Sequence, residues 1–280
     1  LVTFINVPFV GMVKMTTTLT DSEFILEELD SQLTEKGETL FRTDSIQNVL
    51  FDGFSVRNYI DILEDPLVEM VVGKVEIPKS FHGGKFAIYK GKNGSDDGLY
   101  EVNTGRESYK NFGNIHKWNN STKLRWWKGD CNNITGTDGT IFSPFLLRHH
   151  VLKCFSPELC RTLTMTHESD ILFKEIPGFR FSPESHSFLG PHQYEPNRCF
   201  CTEKNDSTPC YRNGLMLLSN CKEGAPVSLS SPHFYNADSA IIDAIDGIHP
   251  VKEKHKTYLD IEPVKDHYIH ICLGNLDMRL

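Results

Sequence analysis

The chain has 280 residues, 39% of them hydrophobic, with a formal net charge of −8 and eight cysteines. That length suffices for one large core or two small ones. An acidic balance without any run of Lys or Arg argues against a nucleic-acid partner, and no apolar stretch reaches the ~18 residues that a membrane span requires.

Residues 1–19 read as strand, interrupted at Pro8 and Gly11 and ending in Thr16-Thr17-Thr18. Thr20-Asp21-Ser22-Glu23 is a capping box, and Ile25, Leu29 and Leu33 then repeat at helical spacing up to Gly37. Asp44-Ser45-Ile46-Gln47 starts a second short helix with Ile46, Val49 and Leu50 as its face, and Tyr59 to Leu63 a third before Pro66. Residues 20–70 therefore form a helical cluster, and it holds thirteen acidic residues against three basic ones. Such a charge marks either a solvated face or an acidic surface turned toward a partner.

From residue 74 the pattern changes to strands. Lys85 to Lys90 and Leu99 to Val102 read as a pair about the polar turn Gly91–Gly98. Asn111 to Trp118, Lys123 to Trp127, Phe179 to Phe181 between Pro177 and Pro183, Gly224 to His233 and Thr257 to Ile261 continue the series. The fold class is α+β, mainly β: short strands every 8–12 residues without long alternating helices suit an antiparallel barrel or sandwich. Both termini read as mid-strand, so the chain is expected to be a fragment of a longer protein.

Cys199, Cys201, Cys210 and Cys221 crowd into a short stretch. Cys199 and Cys201 flank Phe200 and share a face if extended, which is a poor geometry for a bond between them. The polar loop before Pro209 lets Cys210 return toward Cys201, leaving Cys199 and Cys221 for partners upstream, with Cys131 and Cys160 the candidates. Glycosylation acceptors stand at Asn93, Asn119, Asn120, Asn133 and Asn205. Five acceptors beside a cysteine hub indicate an oxidising, secreted or luminal compartment.

No enzyme is expected. The chain has no nucleophile elbow, no His-Glu-x-x-His and no phosphate loop, and His167-Glu168 lacks a second His. Cys199 and Cys201 lack the second pair of a zinc ribbon. His270 and Cys272 share a strand face, His149 and His150 point to opposite faces if extended, and neither pair calls for a metal. No cofactor is called for. Of Trp126 and Trp127, one ring faces inward, as core or as the wall of a cavity.

Cys131-Asn132-Asn133-Ile134-Thr135-Gly136-Thr137-Asp138-Gly139, followed by Phe142-Ser143-Pro144-Phe145, resembles a block of the class B scavenger receptors. Leu159-Cys160-Arg161, Ile176 to Phe181, Cys199-Phe200-Cys201, Cys221 to Pro226, Ser231 to Phe234, Gly247 to Pro250 and Thr257 to Pro263 continue that resemblance in order. It implies one ectodomain, of which residues 1–280 are a part, held between two transmembrane helices outside this chain. The fold implied is a distorted antiparallel β-barrel with an apolar tunnel, residues 74–280 contributing to the barrel and residues 20–70 forming a helical apex bundle. The implied disulfides pair Cys131 with Cys199, Cys160 with Cys221 and Cys201 with Cys210, leaving Cys154 and Cys272 as free thiols or an extra pair.

The implied function is a membrane receptor that takes hydrophobic ligands (fatty acids, lipoprotein lipids, carotenoids or lipid pheromones) and transfers them to the membrane. The alternative is a trafficking receptor that binds a protein cargo, or serves a receptor channel, at the apex. Phe24, Glu27, Glu28 and Lys36 are the ligand-facing candidates there. Fatty-acid translocase carries lysines near the position of Glu35 and Lys36, and this acidic departure argues against polyanionic ligands. The implied location is the extracellular face of the plasma membrane, or the luminal face of a lysosomal or endosomal membrane.

Overall fold

A short strand, β1 (Val2–Ile5), leads through Asn6 into a helix, α1 (Val7–Leu19), in the computed structural model. The structure describes residues 1–19, 23–201, 209–264, 268–273 and 277–279. It divides into two units: residues 1–97 with 223–226, and residues 98–222 with 227–280.

In the first unit, the strand expected through residue 19 gives way to α1. Pro8 sits in the first helical turn, where its missing N–H costs nothing. Thr16 and Thr17 return their hydroxyls to the carbonyls of Met12 and Lys14 at 3.1 and 2.9 Å, so these two β-branched residues bond their hydroxyls within the helix. Next comes α2 (Glu23–Glu35), which buries Leu29 and Leu33; Thr20-Asp21-Ser22 of the capping box lie outside the described residues. The chain returns as β2 (Phe41–Asp44), antiparallel to β1 with Val2 opposite Asp44 and Ile5 opposite Phe41. The second short helix forms as expected over residues 46–52, its first two residues α-helical and Asn48–Asp52 a wider π turn.

Then follow β3 (Phe54–Ser55), α3 (Arg57–Leu63) and α4 (Pro66–Val72). Pro66 begins α4 rather than ending the cluster, because the Asp65 carboxylate accepts the Leu67 N–H at 2.8 Å and caps it. The last strand of this unit, β4 (Lys85–Phe86), pairs with β3, Phe86 opposite Phe54. The expected pairing of 85–90 with 99–102 does not form. Leu33, Val56 and Tyr59 are fully buried at the centre of this unit, each large side chain there worth roughly 1.5–3 kcal/mol.

In the second unit β5 (Tyr100–Val102) pairs with β6 (Ile115–Trp118). Lys123 to Trp127 is not a strand; Lys123 makes one bridge, to Asn133. Six strands then form one sheet: β7 (Leu152–Ser156), β8 (Arg161–Phe173), β9 (Ile176–Pro183), and, beyond the small pair β10 (Met216–Leu217) and β11 (Ser228–Leu229), β12 (Thr257–Ile261), β13 (Tyr268–Leu273) and β14 (Asp277–Arg279). Their order is β14-β13-β12-β9-β8-β7, each neighbour antiparallel. The fold is thus mixed helix and sheet, with this sheet curled as a half-barrel.

The two faces of the sheet differ. Phe181, Leu259 and Ile261 share one face and pack with Phe142, Leu146, Leu152 and Met165. On the other, Arg180 stands opposite Asp260 and donates two hydrogen bonds of 2.8 Å to its buried carboxylate. The guanidinium also lies 3.5 Å from the centre of the Tyr258 ring. Glu168 is the extra residue where the β8–β9 register shifts, and it accepts from the Ser182 hydroxyl and pairs with Lys256 at 2.7 Å.

Near β12, the rings of His233 and His255 stack at 4.1 Å with 13° between planes. The Nδ1 atom of buried His255 accepts the Val251 N–H at 2.8 Å. Burial, with His233 and Lys254 alongside, pushes the His255 imidazole below its ordinary value of 6.5. The unfolded chain therefore binds the extra proton first, so this residue's contribution is full above pH 6.5 and is lost as pH falls below it. Urea midpoints at pH 7.5 and 5.5 are expected to differ more for the native sequence than for His255→Asn. Equal differences would show that protonation of His255 is not linked to folding.

Candidate ligand-binding site

Four helices of the first unit, α1 to α4, converge on an open cavity of about 260 Å³. Its floor is Leu29, Ile62 and Leu63, the same residues that face the core. Met12 and Met15 of α1 and Met70 of α4 supply unbranched, polarisable walls that adapt to what they meet. Phe24, Leu67 and Met70 stand at the rim, 73%, 69% and 77% exposed. Polar groups in the wall are few: the Thr16 hydroxyl is spent on the Met12 carbonyl, and the Gln32 amide donates to Glu28 Oε1 at 3.0 Å.

Of the four residues expected to face ligand, Phe24 and Glu28 line this cavity. Glu27 and Lys36 are exposed but lie outside its walls. Sequence reasoning did not anticipate Met12, Met15, Leu67 or Met70. The available signal was the density of methionine and the i, i+3 spacing of Leu67 and Met70 behind Pro66.

A buried polar cluster fixes the elements that carry the cavity. The Glu38 carboxylate, 6% exposed, accepts from the Tyr59 hydroxyl at 2.7 Å, from Asn58 at 2.8 Å and from Asn6 at 3.3 Å. Asn6 also donates to the Tyr59 oxygen at 2.9 Å and to the Thr39 carbonyl at 3.0 Å. Burial and the adjoining carboxylate push the Tyr59 hydroxyl far above its ordinary pKa, so it remains a donor. The start of α1, the turn after α2 and the body of α3 are thereby tied at one point.

In the second unit the cysteines join as Cys131–Cys199, Cys160–Cys221 and Cys201–Cys210. Cys199 lies on the 3₁₀ turn Glu195–Phe200, so the extended geometry expected for Cys199 and Cys201 is not the one adopted. Cys154 is a free thiol, and burial pushes its pKa up to about 12; the side chain of Cys272 lies outside the described residues, as does that of His270. Beside the hub, Arg161 is buried between the rings of Phe200 and Trp127, at 3.9 and 5.0 Å, and donates to the Leu217 carbonyl at 2.9 Å. Trp127 is thus the core ring of its pair, while half-buried Trp126 packs on Trp118. His149 and His150 sit in a turn with ring centres 4.8 Å apart rather than on opposite strand faces. No group of three potential metal ligands occurs among the described residues.

The acceptor asparagines are unequal. Asn93, Asn119 and Asn120 are exposed. The Asn119 carboxamide accepts the Leu99 N–H at 2.9 Å, and a Cβ added at Gly98 would lie 2.8 Å from it. Asn133 is half-buried and donates to Asp130 at 3.2 Å; Asn205 lies outside the described residues. Glycans are expected at Asn93, Asn133 and Asn205, and at Asn120 in preference to its neighbour. Intact-mass analysis should lose one glycan in Asn120→Gln and none in Asn119→Gln. A secreted chain without any glycan would overturn the compartment reading.

With this geometry in place, comparison with known proteins decides the family. The model of the CD36 family matches residues 1–267. The chain belongs to the CD36 family. It is 37% identical over 203 residues to scavenger receptor class B member 1 of Sus scrofa and 39% identical over 206 residues to that of Bos taurus, covering 72% of this chain in each case. It is 31% identical over 265 residues, 94% of this chain, to lysosome membrane protein 2 of Rattus norvegicus. The chain spans 38% of the length of the two scavenger receptors and 50% of the lysosomal relative. The class B scavenger receptor resemblance of the Cys131–Phe145 and later blocks is accounted for by this CD36-family membership. Among the described residues, no helix is long and apolar enough to cross a membrane.

Proposed function

We propose that this chain is part of the extracellular or luminal portion of a membrane receptor that binds hydrophobic ligands and passes them to the bilayer. The observation that carries this reading is the open apolar cavity whose rim leaves Phe24, Leu67 and Met70 in solvent. Large exposed apolar groups clustered at one opening mark a contact surface. Membership of the CD36 family and relatives named scavenger receptors support the same role. Fatty acids, lipoprotein lipids, carotenoids and lipid pheromones suit it, since transfer of ~0.8 kcal/mol per buried CH₂ binds them without a catalytic group.

In this reading the helical unit is the receptor's apex, and the half-barrel sheet belongs to a closed antiparallel barrel with an apolar tunnel. Two transmembrane helices of the whole protein hold it in the plasma membrane, or in a lysosomal or endosomal membrane. The second reading is a trafficking receptor that grips a protein cargo with the same rim, favoured by the relative named lysosome membrane protein 2. Native mass spectrometry of the purified chain separates them. Co-purified lipid, lost when Leu67 and Met70 are both changed to Asp, is the expected result, with fatty-acid affinity falling on the order of tenfold. A lipid-free chain that takes up none would favour cargo.

Capture is also expected not to rely on attraction to anionic particles. Residues 20–70 hold thirteen acidic and three basic side chains, and like charges repel within a Debye length of ~8 Å at physiological salt. A polyanion such as dextran sulfate should leave uptake unchanged; strong inhibition would overturn this expectation.

A further inference from the structure

We propose that the cavity between α1 and α4 binds single-chain amphiphiles with a cationic head group, the chain against the methionines and the ammonium against Glu28. This rests on reading the cavity as the place of hydrophobic capture, and adds the sign of the ligand's charge. At about 260 Å³ the cavity lies near the lower end of small-molecule sites. That is room for one alkyl chain, not for a diacyl lipid or a docked helix.

The charge follows from the wall. Among the described residues Glu28 is the single ionisable side chain lining the cavity, and Gln32 engages only its Oε1. An ammonium at the mouth is thus offered the other carboxylate oxygen, whereas a carboxylate head group would face it directly. The surroundings have the same sign. Helix α2 carries Glu23, Glu27, Glu28, Asp30 and Glu35 and no basic residue, and Glu69 stands on α4 beside Met70. Lys14 on α1 and Arg57 on α3 are the basic residues of the four helices, too few to reverse the field. An apolar slot under a negative mouth therefore selects a cationic head among chains of equal length.

The test compares decylamine, decanol and decanoate by calorimetric titration into the chain, in low salt and in 1 M NaCl. Decylamine should bind roughly two- to fivefold more tightly than decanol, the range of an exposed ion pair, and decanoate more weakly than either. The preference should shrink in high salt. Glu28→Gln should bring the decylamine-to-decanol ratio down to about one. Decanol binding with no advantage for decylamine would overturn the charge assignment and leave hydrophobic capture standing. Decanoate binding best would do the same. If none of the three binds, capture in this cavity fails as well. A Lys-rich amphipathic peptide that binds where no alkyl ligand does would replace the amphiphile with a protein partner.

Discussion

Glu38→Ala is expected to be the most damaging single substitution in the helical unit, by about 3–5 kcal/mol. The carboxylate is 6% exposed and accepts from Tyr59, Asn58 and Asn6. Its removal leaves the buried Tyr59 hydroxyl without an acceptor, an orphan that costs about 1–3 kcal/mol, and strips Arg42, 3.5 Å away, of its carboxylate, while Asn6 and Asn58 each keep another acceptor. Glu38→Gln keeps one acceptor oxygen and should cost less; Tyr59→Phe deletes one donor and should cost about 1–3 kcal/mol. Urea unfolding of the three variants gives the order. Since Asn6 precedes α1 and Tyr59 lies on α3, hydrophobic-ligand affinity should fall in parallel with stability. A Glu38→Ala chain within 1 kcal/mol of the native one would show that solvent replaces the carboxylate.

Removing either long disulfide is the second large effect. The bonds Cys131–Cys199 and Cys160–Cys221 close sequence separations of 68 and 61 residues. In the chain-entropy model each stabilises by roughly 4 kcal/mol, and Cys201–Cys210, which spans 9 residues, by less. The double change Cys160→Ser with Cys221→Ser should therefore cause retention of misfolded chain, whereas Cys201→Ser with Cys210→Ser should be milder. Non-reducing peptide mapping of the native chain checks the pairing. A Cys199–Cys201 bond, or free Cys131 in folded chain, would overturn it.

Helix α2 was readable because one face repeats Ile25, Leu29 and Leu33, and the structure buries the last two. Its neighbour α1 was not. Pro8 and three consecutive threonines are poor helix signals alone, and only the partners of Thr16 and Thr17 make them acceptable. The long β8–β9 hairpin was partly hidden for a related reason. Pro177 and Pro183 looked like brackets, yet both lie within β9, opposite Leu172 and Met165, near strand ends where a missing N–H is tolerated. The pairing of β3 with β4 spans some thirty residues and leaves no local trace. The cavity was legible only at Phe24 and Glu28. Its other walls come from four helices, and in sequence each of those residues looks like ordinary core.

The crossing of the two long disulfides also bears on how the chain is made. Synthesis delivers the N-terminal cysteines first, so Cys131 meets Cys154 and then Cys160 well before its partner Cys199 exists. Cys160 in turn must wait past Cys199, Cys201 and Cys210 for Cys221. Every native long bond is thus preceded by nearer, wrong suitors, and thiolate exchange through mixed disulfides is the only covalent route from one to the other. The yield of folded chain in a secretory cell is then expected to rise with the supply of disulfide isomerase, and a host poor in it should accumulate reshuffled chains even where each chain's native state is stable.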